Sequence, residues 1–168
     1  MHIYIYILAF NSHLKNIINQ NSILRRLSSL ELPNGIKIGS QVAIKKKVHN
    51  RFNAAIQYTC KVDCYASMAS RAPVYEDQEF FGVVESFLTF IYNNQQSMLA
   101  LIKPTSSIYS ERIQNSHIDA CQYFNSTEWQ NQEFIIIDVL QIRKMVAFWN
   151  RKDSTERSKI YILDMNIN

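Results

Sequence analysis

Apolar and polar residues alternate along most of this chain, and strands are the element that pattern predicts. The opening run already shows it: Ile3, Ile5 and Ile7 alternate with Tyr4, Tyr6 and Leu8. A helical stretch is expected next. Asn11-Ser12 can cap it, and Leu14, Ile17, Ile18, Leu24 and Leu27 recur near the helical period from about His13 to Leu30. The polar run 19–22 weakens its middle. Leu32-Pro33-Asn34-Gly35 ends it, because proline cannot continue a helix and Asn-Gly favours a turn.

From there the alternation takes over. Gln41 to His49 reads as a strand with Val42, Ile44, Lys46 and Val48 on one face and Lys45 and Lys47 on the other. Ala54 to Tyr65 alternates through Ile56, Tyr58, Cys60, Val62 and Cys64. Met68 to Gln78 reads as a loop around Pro73. Phe80 to Tyr92 is a long strand, and Gly82 inside it points to a bulge or a close backbone approach. Asn93 to Gln96 makes a hairpin turn, and Ser97 to Lys103 returns as the partner strand. Thr105 to Gln132 is polar and irregular, an excursion from the core. Phe134 to Ile137 is a buried strand, Asp138 to Arg143 a turn or one helical turn, and Met145 to Trp149 and Ile160 to Leu163 are the last strands.

Five to seven short strands predict a mainly β fold: a small, partly open β-barrel or rolled antiparallel sheet with an N-terminal helix. Residues 1–35 would form a strand-and-helix extension, and residues 36–164 the barrel-like domain. At 168 residues the chain suits one domain plus that extension. The first ten residues fall short of the ~18 apolar residues that span a bilayer. They lack a small-residue cleavage pattern, so a strand is the main reading. A signal anchor, or a start inside a longer protein, stands beside it.

Composition narrows the function classes. The chain has only 3 Gly and 3 Pro, where about 12 and 8 are usual for this length. A phosphate-binding glycine loop, a dinucleotide fingerprint and a nucleophile elbow all need glycines that are not there. The 22 Ile and 15 Asn suggest A/T-rich codons, so asparagine abundance carries no functional weight. Net charge is +4, and the excess lies in residues 1–50, with seven Lys/Arg against Glu31. A basic arm on a near-neutral body can contact nucleic acid. Three cysteines, an odd number, read as an intracellular chain rather than a disulfide framework.

Candidate chemistry is sparse. Cys60, Cys64, His117 and Cys121 offer zinc-ligand atoms, but residues four apart on a strand are ~13 Å apart, too far to share a metal. Cys121 with His117 as a nucleophile pair has no marked oxyanion partner. Asp63, Asp77, Asp119 and Asp138 are dispersed, and Glu76-Asp77-Glu79 reads as a solvated acidic turn. No cofactor or metal is therefore expected. Asn125-Ser126-Thr127 matches a glycosylation sequon, relevant only to a secreted chain. The best candidate is cationic: Lys45, Lys46 and Lys47, with Arg51 behind and Arg25 and Arg26 before. Phosphate contact needs only fixed cations. Lysines on an edge strand that block aggregation are the alternative.

One resemblance adds to this. Phe80-Phe81-Gly82-Val83-Val84-Glu85-Ser86-Phe87-Leu88, then Leu99-Ala100-Leu101-Ile102, then Ile136 to Arg143 and Lys159 to Leu163, form an ordered set of apolar motifs. The set resembles the β-rich accessory domain that follows transposase-type regions in eukaryotic transposable-element-derived, CACTA-like proteins, over roughly residues 36–163. A basic, aromatic hairpin commonly precedes the FG strand there, and residues 43–65 take that place here. The resemblance implies a non-catalytic, nuclear accessory module and transfers no site residue.

The expected function is a binding or scaffold domain rather than an enzyme. It would contact DNA or RNA phosphates through Lys45, Lys47 and Arg51, or other regions of a transposase-like protein, with no membrane and no small-molecule ligand. The alternative is a protein-interaction module that uses exposed aromatics such as Trp129 or Phe148-Trp149, or an edge strand. A Cys/His enzyme is a third class.

Overall fold

A computed structural model describes residues 25–33, 35–45, 53–68, 70–92, 95–111, 121–152 and 158–165. They form a mainly β structure built on one antiparallel sheet. Its spine is β5 (Tyr75–Tyr92), an 18-residue strand. The other strands are β1 (Arg25–Leu27), β2 (Ser29–Glu31), β3 (Lys37–Gly39), β4 (Ala55–Asp63), β6 (Gln95–Pro104), β7 (Tyr109–Glu111), β8 (Cys121–Asn125), β9 (Ile135–Asp138), β10 (Ile142–Lys152) and β11 (Ser158–Asp164). Two five-residue helices complete it, α1 (Gln41–Lys45) and α2 (Ser126–Gln130). The main sheet runs β7-β8-β11-β10-β4-β5-β6-β9, and β2 and β3 form a separate ribbon.

The length of β5 lets it serve three neighbours. Its first half pairs with β4, Ala55 opposite Val83 through Asp63 opposite Tyr75. Its second half pairs with β6, from Gly82 opposite Pro104 to Tyr92 opposite Gln95. Thr89 to Phe87 also pair with β1, on the edge away from β6. Gly82 faces Ile56 on one side and Pro104 on the other. A Cβ there would lie 2.6 Å from Ile102 Cγ2 and 2.9 Å from the Lys103 carbonyl oxygen. Close approach of β6 is therefore the reason for glycine. The irregularity in register falls later, between Val84 and Ser86.

The main core gathers Ile38, Ile56, Tyr58, Val84, Phe87, Ala100, Ile102, Ile137 and Ile142, with Leu27 and Leu30 packed against it. Burial at ~25 cal/mol per Å² of apolar surface drives this assembly. A second cluster lies between the β4–β5 surface and the extension of β10: Ala55, Phe81 and Val146, joined by Phe148 and Ile162. Between β9 and β10 the chain makes one 3-10 turn (Val139–Gln141). The Asp138 carboxylate accepts from the Leu140 N–H at 2.8 Å, and Gln141 Oε1 accepts from the Asp138 N–H at 3.1 Å. That reciprocal cap fixes a sharp reversal.

Several sequence expectations need correction. The helix expected to run to Leu30 does not include its last turns, because Arg25–Leu27 and Ser29–Glu31 are strands. Leu24, Leu27 and Leu30 fit the helical period, but pairing with β5 and β3 satisfies this backbone and still buries Leu27 and Leu30 against the core. The rest of that helix, and the strand expected at residues 3–8, lie outside the described residues. Gln41 to Lys45 is helix rather than strand. Ser40 explains the switch: its Oγ accepts from the Ala43 N–H at 3.4 Å, its carbonyl from the Ile44 N–H at 3.1 Å, and its hydroxyl donates to the Ser28 carbonyl. This capping starts a turn of helix that buries Ala43 completely. The acidic stretch placed in a loop begins β5, paired through Glu76, Asp77 and Glu79 to β4. The polar excursion contains β7, β8 and α2.

Candidate binding surface

The extension β10-β11-β8-β7 has two unlike faces. Strand residues two apart share a face, so Phe124, Phe148, Ile160 and Ile162 point one way. Phe124 is fully buried there, with its ring 5.0 Å from Phe148 and 5.7 Å from Trp129 of α2. That face packs inward.

The opposite face carries a row of four aromatic residues in register. Trp149 on β10 pairs with Tyr161 on β11, Tyr161 with Tyr123 on β8, and Tyr123 with Tyr109 on β7. Ring centroids along the row are 5.6, 5.9 and 5.5 Å apart. Aromatic cross-strand pairs of this kind stabilise a sheet by ~0.2–1 kcal/mol each. The ends of the row are open: Trp149 is 50% and Tyr109 40% exposed. The centre is closed, with Tyr161 only 3% exposed.

One charged pair lies over the centre. Lys159 Nζ donates to Glu111 Oε2 at 2.6 Å and sits 4.6 Å from the Tyr123 ring centroid. The Tyr161 hydroxyl donates to the other oxygen of Glu111. The hydrogen bond to Glu111 raises the Lys159 pKa above its ordinary value, outweighing partial desolvation. The ammonium is thus held charged between a carboxylate and a π face. Leu163 on β11 and Met165 just past its end are also exposed.

A cleft of about 330 Å³ opens on the inward face, between the β4–β5 surface and the β10–β11 wing. Phe81, Val146 and Ile162 line it. Gln57 donates to Glu79 at 2.8 Å on one wall, and Lys144 pairs with Asp164 on the other.

The cationic candidates divide. Arg25 and Arg26 are exposed on β1, opposite Thr89 and Leu88; as strand neighbours they leave opposite faces. Lys45 ends α1 rather than standing on a strand, so the alternation that paired it with Lys47 does not apply. Lys46, Lys47 and Arg51 lie outside the described residues, as does His117. The two tryptophans differ: Trp129 is half-buried against Phe124 and Phe148, while Trp149 is open. Cys60, Cys64 and Cys121 are all free thiols. Burial pushes the Cys60 thiol up to about 11, and Cys64 is also raised. Both are poor nucleophiles near neutral pH. Among the described residues no group of three or more His, Cys, Asp and Glu is placed to hold a metal, and no helix is long and apolar enough to cross a membrane.

Sequence reasoning singled out Trp149 but missed Tyr109, Tyr123 and Tyr161. Their signal is faint: a tyrosine two residues from Glu111, from Cys121 and from Lys159, each in a short alternating run. Only the register across four strands joins them. Comparison with protein-family models, curated proteins and solved structures finds no match.

Proposed function

We propose that this chain is a non-catalytic binding module that holds its partner against the aromatic row, on a partly open barrel. The barrel reading is supported by β9 and β10. They stand at opposite ends of the path β10-β4-β5-β6-β9, yet only Val139–Gln141 separates them in sequence, and Ile137 and Ile142 share one core. A five-strand sheet whose end strands are joined by one turn has to curl.

The observation that carries the binding reading is the exposure of Trp149 and Tyr109 at the two ends of a row whose middle is locked by Lys159 and Glu111. Exposed aromatics held ring to ring across a sheet lose little side-chain entropy when they are covered, which suits them to recognition. The resemblance carried by the motif order from Phe80 to Leu163 supports reading such a module as part of a nuclear, mobile-element-derived protein. The test is chemical-shift mapping with small aromatic probes, indole and adenosine monophosphate. Shifts should centre on Trp149, Tyr109 and Lys159. Shifts confined to the cleft around Glu79 and Lys144 would refute the assignment.

A further inference from the structure

We infer that the occupant of the aromatic row is single-stranded nucleic acid, stacked at Trp149 and Tyr109, with Lys159 switched from Glu111 to a phosphate. The inference rests on the aromatic row being the recognition surface, and names what it recognises.

Two observations point to this occupant, and a third sets its affinity. The first is ring geometry. Four aromatics lie in one register row across an antiparallel sheet, with the end rings open. Unpaired bases bring flat π faces to such a platform, and stacking is worth ~1–3 kcal/mol per base whatever the sequence. The ends are three strand spacings apart, about 14 Å, so bases stacked on both would carry the intervening backbone over the Lys159–Glu111 pair.

The second is charge. Arg151 and Lys152 close β10 and Lys159 lies in β11, and in sequence the stretch 150–159 carries four Lys/Arg against two acids. The Cα atoms of Arg151 and Lys159 face each other across the ladder. The chain as a whole is +4. A polyanion is favoured beside these strand ends. A duplex brings the same phosphates but keeps its bases stacked on one another, away from the rings.

The third is the placement of Glu111. It is a carboxylate at the centre of the surface, bound to both Lys159 Nζ and the Tyr161 hydroxyl. It keeps the ammonium positioned over Tyr123 while no phosphate is present. It must be displaced from Lys159 when one arrives, so Glu111 is a positioning residue that tempers affinity. The exchange breaks one charge-assisted hydrogen bond and forms another, with no covalent step.

The experiment titrates the full chain against an oligothymidylate of about 16 nucleotides, the upper end of single-strand site sizes, and against a duplex of the same length. Fluorescence anisotropy and tryptophan quenching are the readouts. The single strand should bind more tightly and quench Trp149. Trp149→Ala and Tyr109→Ala should each weaken binding by ~10-fold, while Trp149→Phe largely restores it. Glu111→Gln should strengthen binding with the salt slope unchanged, because Lys159 meets a phosphate in both proteins, whereas Lys159→Gln should reduce the slope of log affinity against log salt by about 0.7, the increment for one phosphate contact on a single strand. Circular dichroism confirms that each variant is folded.

No binding at low salt, or equal binding of the duplex, overturns the occupant and leaves the aromatic surface to a protein that would cover Leu163 and Met165 as well. Binding that ignores Trp149→Ala and Tyr109→Ala overturns the aromatic surface itself and assigns the contact to cations elsewhere. Unchanged affinity in Glu111→Gln, or an unchanged salt slope in Lys159→Gln, overturns the exchange at Lys159.

Discussion

Replacing Gly82 by alanine should separate β5 from β6 and destabilise the protein. The added Cβ would sit 2.6 Å from Ile102 Cγ2, 2.9 Å from the Lys103 carbonyl oxygen and 3.3 Å from Pro104 Cα. A side-chain methyl can swing away, but the carbonyl belongs to the paired strand and moves only with it. Ile102 is itself fully buried in the main core, so its retreat displaces other side chains. Overpacking of this kind costs ~1–3 kcal/mol. Alanine returns ~0.4–1 kcal/mol by stiffening the unfolded chain. The clash against the backbone carbonyl sets a mid-range overpacking cost, so the net loss is ~1–2 kcal/mol. With a urea slope of ~2 kcal/mol/M, that moves the denaturation midpoint down by roughly 0.5–1 M. Ile102→Ala removes Cγ2, the nearest clashing atom, so the double variant should be more stable than the sum of the single effects by ~0.5 kcal/mol or more. A Gly82→Ala midpoint equal to or above wild type would refute the close-approach reading. Strict additivity in the double variant would refute the role of Ile102.

Other outcomes follow from particular contacts. Phe124→Ala, which empties the space among Trp129, Phe148 and the β8–β11 ladder, should cost ~3–5 kcal/mol in a urea melt and change the emission of Trp129. Ser40→Ala removes the bonds to Ser28 and Ala43 and should cost ~1 kcal/mol. For Cys60 the folded pKa is raised from 9.0 to about 11; the folded state therefore keeps its proton longer than the unfolded state. Its contribution is complete below about 9 and is lost as pH rises towards 11. Buried Tyr58 is shifted in the same direction. Stability measured by urea between these pH values should fall, and fall less in Cys60→Ala. Labelling of Cys60 by a thiol reagent should be slow at neutral pH and accelerate about tenfold per pH unit below that pKa.

The strands legible in the sequence are those whose alternation or apolar run meets a buried face over many residues. β4 was readable because Ile56, Tyr58 and Cys60 alternate with polar neighbours, and β5, β6 and β10 because Val84, Phe87, Ile102 and Val146 lie in long, strongly apolar runs. The reversal after Asp138 was expected from the sequence as a turn, and the cap between Asp138 and Gln141 that fixes it is local. Elements of three to five residues were not. In β1 and β2, leucines three apart fit a helix as well as two adjoining strands, and only the long-range pairing with β5 and β3 decides. In α1 one serine hydroxyl overrides an alternating pattern. The aromatic row was out of reach for a further reason. Trp149, Tyr161, Tyr123 and Tyr109 come from four strands, and their alignment is a property of register, which composition does not carry.

The division of β10 between two cores has a dynamic consequence. Its first residues, Ile142 to Met145, pair with β4, while Val146 to Lys152 pair only with β11 among the described strands. The β7-β8-β11 wing therefore hangs on a single shared strand, and its own core of Phe124, Phe148 and Ile162 touches the body at Ala55 and Phe81. Such a unit can open without the rest. Amide hydrogen exchange should then fall into two classes, slow in β4–β5–β6 and faster in β8 and β11. A ligand seated on the wing should slow only the second class. The wing would be the part of the molecule whose cohesion depends on being occupied.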